Sequence, residues 1–246
     1  MNDGAIERIE RAYAAHFAER QSMLPGAGVS VRAITGAVLF TARTRPEVDW
    51  MNTALVMGRV TPPLLEEIVA FYRQQGVRPR IEAVAGEPEG FVSGGELFVM
   101  AVVPPADSPD SGKVAVRAVD ADSFGRFADV YVEAFGRVDI PRPDVEGWSV
   151  LKNWKFYFAE VDGKPAGAGI LSIHGDVGYL GSAATLPAMR GRGVHSALLH
   201  RRMADAASAG CSVIFGRAAP GGPGAAGLLR AGLMLSHRKK VWLEAR

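Results

Sequence analysis

The chain has 246 residues and 48% hydrophobic content, enough for a sizeable core in one large domain or two small ones. Its formal net charge is +2, which excludes a broad electrostatic field for nucleic acid, and its single cysteine, Cys211, excludes a disulfide framework and a paired-cysteine metal site. The charged N-terminus lacks a signal-peptide pattern and no run of about eighteen apolar residues occurs, so the expected compartment is cytoplasmic, with no membrane partner.

Ile6, Ile9, Tyr13 and Phe17 recur at helical spacing and predict an amphipathic helix over about residues 3–22, ended by Pro25-Gly26. Residues 29–41 read as a strand pair turning at Thr35-Gly36, and residues 50–56 as a further strand. Thr61-Pro62-Pro63 starts a helix, with Thr61 as the cap and Pro62 in a first-turn position that needs no N–H; Gly76 stops it. Residues 77–84 and 96–103 read as strands. The stretch 104–112 holds no large apolar residue and reads as a linker, which divides the chain into halves at 1–110 and 111–246.

The second half opens with a strand, 114–119, and a helix, about 121–135, capped by Gly136. Residues 137–147 read as a proline-interrupted loop walling a cleft. An aromatic strand, 155–161, turns at Asp162-Gly163 into 165–174, and Gly175-Asp176 turns into a long strand, 177–185. A helix over about 191–209 stops at Gly210. A strand at 211–215, the glycine-rich 221–224, a short helix at about 225–231 and two apolar segments, 233–235 and 241–243, complete the chain.

The informative stretch lies between residues 185 and 199. A strand feeds a loop, Arg190-Gly191-Arg192-Gly193, and the loop opens a helix. The first turn of a helix presents N–H groups without intrahelical partners, and its dipole is positive there, so a pyrophosphate is a natural occupant. Gly191 and Gly193 let phosphates approach the backbone, and Arg190 and Arg192 add charge. A dinucleotide-binding fingerprint does not fit, because Ser196 stands where a third glycine is needed and no acidic residue follows at 212–217.

With Pro187 at its start, the stretch resembles the acetyl-CoA motif of the GNAT N-acetyltransferase superfamily, whose core reads Arg/Gln-x-x-Gly-x-Gly/Ala. Arg190 and Gly193 match, and His195 replaces the small last residue. The element order over 113–246 is similar to the GNAT topology. The resemblance implies an α/β (α+β) fold with a mixed, mostly antiparallel sheet flanked by helices. The strand pair, helix and strands of the first half look like a worn second copy without the motif, which implies two tandem halves.

The resemblance also implies a cofactor and a reaction. Acetyl-CoA would bind along the backbone of Ala183, Ala184 and Thr185, with its pyrophosphate on Arg190, Gly191, Arg192, Gly193, Val194, His195 and Ser196. The reaction would be acyl transfer to the amine of a small molecule; the alternative is a non-catalytic module that senses acyl-CoA. Many members place a thiolate-protonating tyrosine four residues before the glycine ending the last helix, and here that position is Leu228. Glu133, Tyr179 and His237 are the candidate catalytic residues. No metal and no nucleic acid is expected, and a homodimer is compatible with the reading.

Overall fold

The structure, a computed structural model, describes residues 3–104, 114–136 and 140–245. The linker expected over 104–112 lies, Pro104 apart, outside them, as do residues 137–139 of the expected cleft loop. The chain divides into two compact units, Met1–Val99 with Leu235–Arg246, and Met100–Met234.

The first unit contains α1 (Asp3–Ser22), β1 (Val29–Ile34), β2 (Ala37–Ala42), β3 (Thr53–Val56), α2 (Pro62–Gln75), β4 (Arg80–Ala83) and β5 (Phe91–Val102, of which residues 100–102 belong to the second unit). Strands β1, β2 and β3 pair antiparallel in sequence, and β3 pairs parallel with β4 across α2. Period-two alternation gives this sheet two apolar faces. Phe40 and Leu55 pack with Ala14 and Phe17 of α1. Leu39, Ala54 and Val56 pack with Ile68, Phe71 and Tyr72 of α2. Gly76 caps α2 in the left-handed conformation, φ 68°, as its position predicts. Thr61 occupies the N-cap position but makes no side-chain capping bond.

The second unit contains β6 (Val114–Ala118), α3 (Phe124–Phe135), α4 (Arg142–Gly147), β7 (Trp154–Val161), β8 (Lys164–His174), β9 (Val177–Tyr179), β10 (Ala183–Thr185), α5 (Val194–Ser208), β11 (Val213–Ala218) and α6 (Pro223–Arg230). Its strands run β11-β9-β8-β7-β6, with β10 on β8. Among these strands' described pairings, β9–β11, joined across α5, is parallel, and β6–β7, β7–β8, β8–β9 and β8–β10 are antiparallel. One face carries an aromatic layer in which Phe124 and Phe127 of α3 meet Phe156 at 4.9 and 5.2 Å between ring centroids. On the other face Tyr157 donates a 2.7 Å hydrogen bond to Asp205 of α5.

The last strand, β12 (Met234–Glu244), pairs antiparallel with β4 in the first unit. The two separate apolar segments expected at 233–235 and 241–243 are therefore parts of one strand. The polar run between them alternates, with His237 and Lys239 buried and Arg238 and Lys240 exposed. Glu10 of α1, 1% exposed, receives both inward groups. His237 Nε2 lies 2.9 Å from Glu10 Oε1, and Lys239 Nζ bonds Glu10 Oε2 and the Val56 carbonyl, the latter at 3.2 Å.

Two other expectations change. The loop expected over 137–147 contains α4, because Pro143 falls in a first turn where no N–H is missed, and Arg142 pairs with Glu146 one turn on. The long strand expected at 177–185 is broken. Gly181 N–H bonds the Tyr179 carbonyl at 2.9 Å, a three-residue turn that ends β9 before β10 begins.

Candidate active site

The break between β9 and β10 opens the sheet. Leu180 N–H still reaches the Phe215 carbonyl of β11 at 2.8 Å, after which the chain leaves β11 and pairs only with β8. Along β10 the Ser182 carbonyl and the Leu186 N–H are given to β8, at 3.2 and 2.9 Å. By strand alternation the N–H and C=O of Ala183 and Thr185 point to the opposite edge, into the opening. Those of Ala184 point to β8. An extended polar chain laid along that edge would find ladder partners on Ala183 and Thr185.

Two glycines on β8 hold β10 this close. A Cβ on Gly167 would sit 2.6 Å from the Ala184 carbonyl oxygen and 2.9 Å from Val194 Cγ1. A Cβ on Gly169 would sit 3.2 Å from Arg202 Cζ.

Below the opening, a single helical turn, Pro187–Met189, leads into the loop and α5. Gly191 and Gly193 have φ of 76° and 80°, a region that residues with a Cβ rarely adopt. The helix starts at Val194 rather than near residue 191, and its first intrahelical bond, Ala197 N–H to Gly193 C=O at 3.0 Å, leaves the N–H groups of Val194, His195 and Ser196 outside the ladder. They line a pocket of about 460 Å³ with Thr185, Arg190 and Arg230. Arg192, expected there, instead pairs with Asp162 at 2.6 Å. Arg230, on the last turn of α6, supplies a charge that the motif did not reveal.

A second pocket, of about 250 Å³, lies at the opening and shares His195 with the first. Phe135 of α3 and Leu199 and Arg202 of α5, on opposite faces of the sheet, both line it because the sheet is parted there. Tyr179, Ser182, Arg217 and Leu228 complete its chemistry. Leu228 lies against Gly216, whose Cβ would come within 2.8 Å of Leu228 Cδ2.

His195 turns toward Gly227 of α6, where a Cβ would approach its Cε1 to 2.8 Å. Burial, then the charges of Arg202 and Arg230, lower its pKa from 6.5 to about 4. The imidazole is neutral at pH 7, so a proton must be added to it against its surroundings in the folded state. The stability linked to His195 is therefore complete above pH 6.5 and is lost as pH falls toward 4. His195→Gln is expected to flatten the decline in folding stability across that window, read by urea denaturation at stepped pH.

Of the other expected residues, Tyr179 lines the second pocket. Glu133 is exposed on α3. His237 belongs to the first unit, where it is held by Glu10. No group of metal-ligating side chains occurs among the described residues.

The first unit repeats the strand–helix–parallel strand arrangement without the opening. Beyond β3 and β4, Val60 N–H bonds the Ala85 carbonyl at 3.0 Å and Val84 N–H bonds the Gly58 carbonyl at 3.0 Å. Pairing continues to the start of α2, and a Cβ on Gly86 would lie 2.7 Å from the Val60 carbonyl oxygen. Pro62 and Pro63 then remove two of the N–H groups that an anion would use.

Residues 126–233, which contain the opening and both pockets, match the model of the acetyltransferase (GNAT) family. The GNAT domain defined by this match spans residues 126–233, within the second unit. No curated protein matches the sequence. Among solved structures, a GCN5-related N-acetyltransferase from Kribbella flavida aligns with a TM-score of 0.70 at 15% identity, over 97% of this chain and 95% of that one. A putative acetyltransferase of the GNAT family from Novosphingobium aromaticivorans aligns at 0.59 and 18% identity, over 88% and 91%. A tandem GNAT protein from the clavulanic acid biosynthesis pathway aligns at 0.58 and 14% identity, over 84% and 77%. These likenesses extend over both units, so the chain shares the fold of these proteins, one of which is a tandem GNAT protein. No helix among the described residues is long and apolar enough to cross a membrane.

Proposed function

We propose that the GNAT domain binds acetyl-CoA and transfers its acyl group to the amine of a small molecule. The observation that carries this reading is the parted sheet above a helix N-terminus. The opening offers the outward backbone of Ala183 and Thr185 to a pantetheine arm, and the Gly191–Ser196 loop and first turn offer N–H groups to the pyrophosphate, with Arg190 and Arg230 beside them. CoA itself would supply the thioester; the chain supplies alignment and charge.

In the reaction, the amine nitrogen attacks the thioester carbonyl, the C–N bond forms and the C–S bond breaks. The amine proton leaves to water, and the CoA thiolate takes a proton. Proximity of the two substrates carries much of the rate. The Ala183 N–H, directed into the opening, is a donor for the developing oxyanion. Leu228 has no proton to give. Tyr179 lines the same pocket and is the donor we assign to the thiolate.

Thiol release from acetyl-CoA over a panel of small amines tests this. Turnover is expected, and Tyr179→Phe is expected to lower kcat roughly 100-fold with little change in KM for acetyl-CoA. Leu228 favours a second reading, a domain that binds acyl-CoA without turning it over. Saturable acetyl-CoA binding without thiol release from any amine would establish that reading and end the enzymatic one.

A further inference from the structure

The strand that carries the opening is longer by one residue than the stretch of β8 it faces. Tyr179 of β9 faces Ser172 and Ala183 of β10 faces Gly169, so four steps along this strand match three along β8. The surplus residue makes a β-bulge at 180–182, and a bulge turns backbone groups out of the ladder. Gly181 N–H bonds the Tyr179 carbonyl, and the Ser182 carbonyl takes the Ile170 N–H. In an unbroken sheet the carbonyls beside such a point accept N–H groups of a neighbouring strand. Here the carbonyls of Gly181 and Ile170 both accept from Arg202 of α5, whose Nη1 donates to the first at 2.7 Å and to the second at 2.9 Å.

The side chain is fixed in this place from three directions. It is 1% exposed, and its Nε donates to the Leu198 carbonyl, one turn back on its own helix, at 2.9 Å. Gly169 makes the room: a Cβ there would sit 3.2 Å from Arg202 Cζ and 3.4 Å from Ala183 Cβ. A buried carbonyl left without a donor costs free energy, and one nitrogen serves two of them here. A lysine has the charge but not the planar fork that engages the helix and both strands at once.

We propose, resting on the acyl-CoA reading above, that Arg202 is a positioning residue of the cofactor site: it pins the bulge, so that β10 stays off β11 and the Ala183 N–H stays directed into the opening. Arg202 belongs to α5, whose first turn lines the pyrophosphate pocket. One side chain therefore sets the strand edge that receives pantetheine against the helix end that receives the pyrophosphate. It acts through Gly181 and Ile170.

Amide hydrogen exchange on the free full-length protein, and calorimetry with two probes, test this. In free Arg202→Met the Gly181 and Ile170 amides are expected to exchange roughly tenfold faster or more, with β6 unchanged. Acetyl-CoA, which needs both parts of the site, is expected to bind roughly tenfold more weakly or worse. The 3′-phospho-ADP end of CoA, which needs only the helix end, is expected to bind as it does to wild type. Arg202→Lys is expected to show the same split to a smaller degree, and it decides the matter if Arg202→Met does not fold. Unchanged exchange at Gly181 and Ile170, undiminished acetyl-CoA binding, or equal weakening of both probes overturns the positioning role while acetyl-CoA binding by wild type still stands. Wild type that binds no acetyl-CoA overturns the proposed function, and the exchange result still decides whether Arg202 pins the bulge.

Discussion

Replacing Lys239 by methionine is expected to destabilise the first unit by about 3–5 kcal/mol. Lys239 is 0% exposed and its ammonium bonds the Glu10 carboxylate, itself 1% exposed. Removing the ammonium takes the buried Glu10 carboxylate's ammonium partner away, and the desolvation that the pair had offset falls on a single ion. The loss should appear as a shift of the urea midpoint. The double variant Glu10→Gln with Lys239→Met removes both charges and is expected to recover most of the loss. A single variant within about 1 kcal/mol of wild type would show that Glu10 is reached by water or carries a proton. The network joins the first helix to the last strand, so the measurement also reports how firmly β12 is held.

The second large effect is expected at Gly167. Its missing Cβ would lie 2.6 Å from the Ala184 carbonyl oxygen, a backbone atom with no rotamer to escape through. Gly167→Ala must push β10 from β8 or tilt the start of α5 through Val194. A loss of roughly 1–3 kcal/mol is expected from overpacking alone. Because β10 forms one edge of the opening, acetyl-CoA affinity should fall with it, by at least tenfold. A normal affinity in the alanine variant would show that the edge of β10 does not hold the cofactor. Gly191 provides a contrast: nothing lies within 4 Å of a Cβ there, and its requirement is only the positive φ.

Much of the fold was legible because apolar spacing and turn residues agreed. Ile9, Tyr13 and Phe17 announced α1, and the proline pair at 62 and 63 announced α2, since both rules concern the local chain alone. Two of the places that sequence reading missed share a physical cause, a charged residue on a buried face. His237 and Lys239 alternate with Arg238 and Lys240 as a strand should, but the inward pair is charged, so the run looked like surface. Its partner, Glu10, is 227 residues away from His237. Arg202 follows the same logic. It lies at four-residue spacing on the stripe Val194, Leu198 and Ala206, all buried, and that spacing was the available signal. An arginine on an apolar stripe reads as a surface charge until its carbonyl partners on β8 and at Gly181 are seen.

The cofactor loop was legible through Gly191 and Gly193, because positive φ and close approach limit the residues that fit. The division of labour among its arginines was not. Arg192 is drawn to Asp162 on a hairpin turn, and Arg230 arrives from another helix. The break in the strand at 180–182 was hidden in an apolar run, since a turn closed by a backbone hydrogen bond leaves no side-chain mark beyond Gly181.

The central claim is that acyl-CoA lies in the opening of the second unit and that the first unit has no equivalent. Amide hydrogen exchange with and without acetyl-CoA tests both parts at once. Slower exchange is expected at Ala183, Thr185 and across residues 193–196, with no change across residues 58–66. Unchanged exchange across 183–196 at saturating acetyl-CoA, or protection appearing across 58–66 instead, would contradict the account.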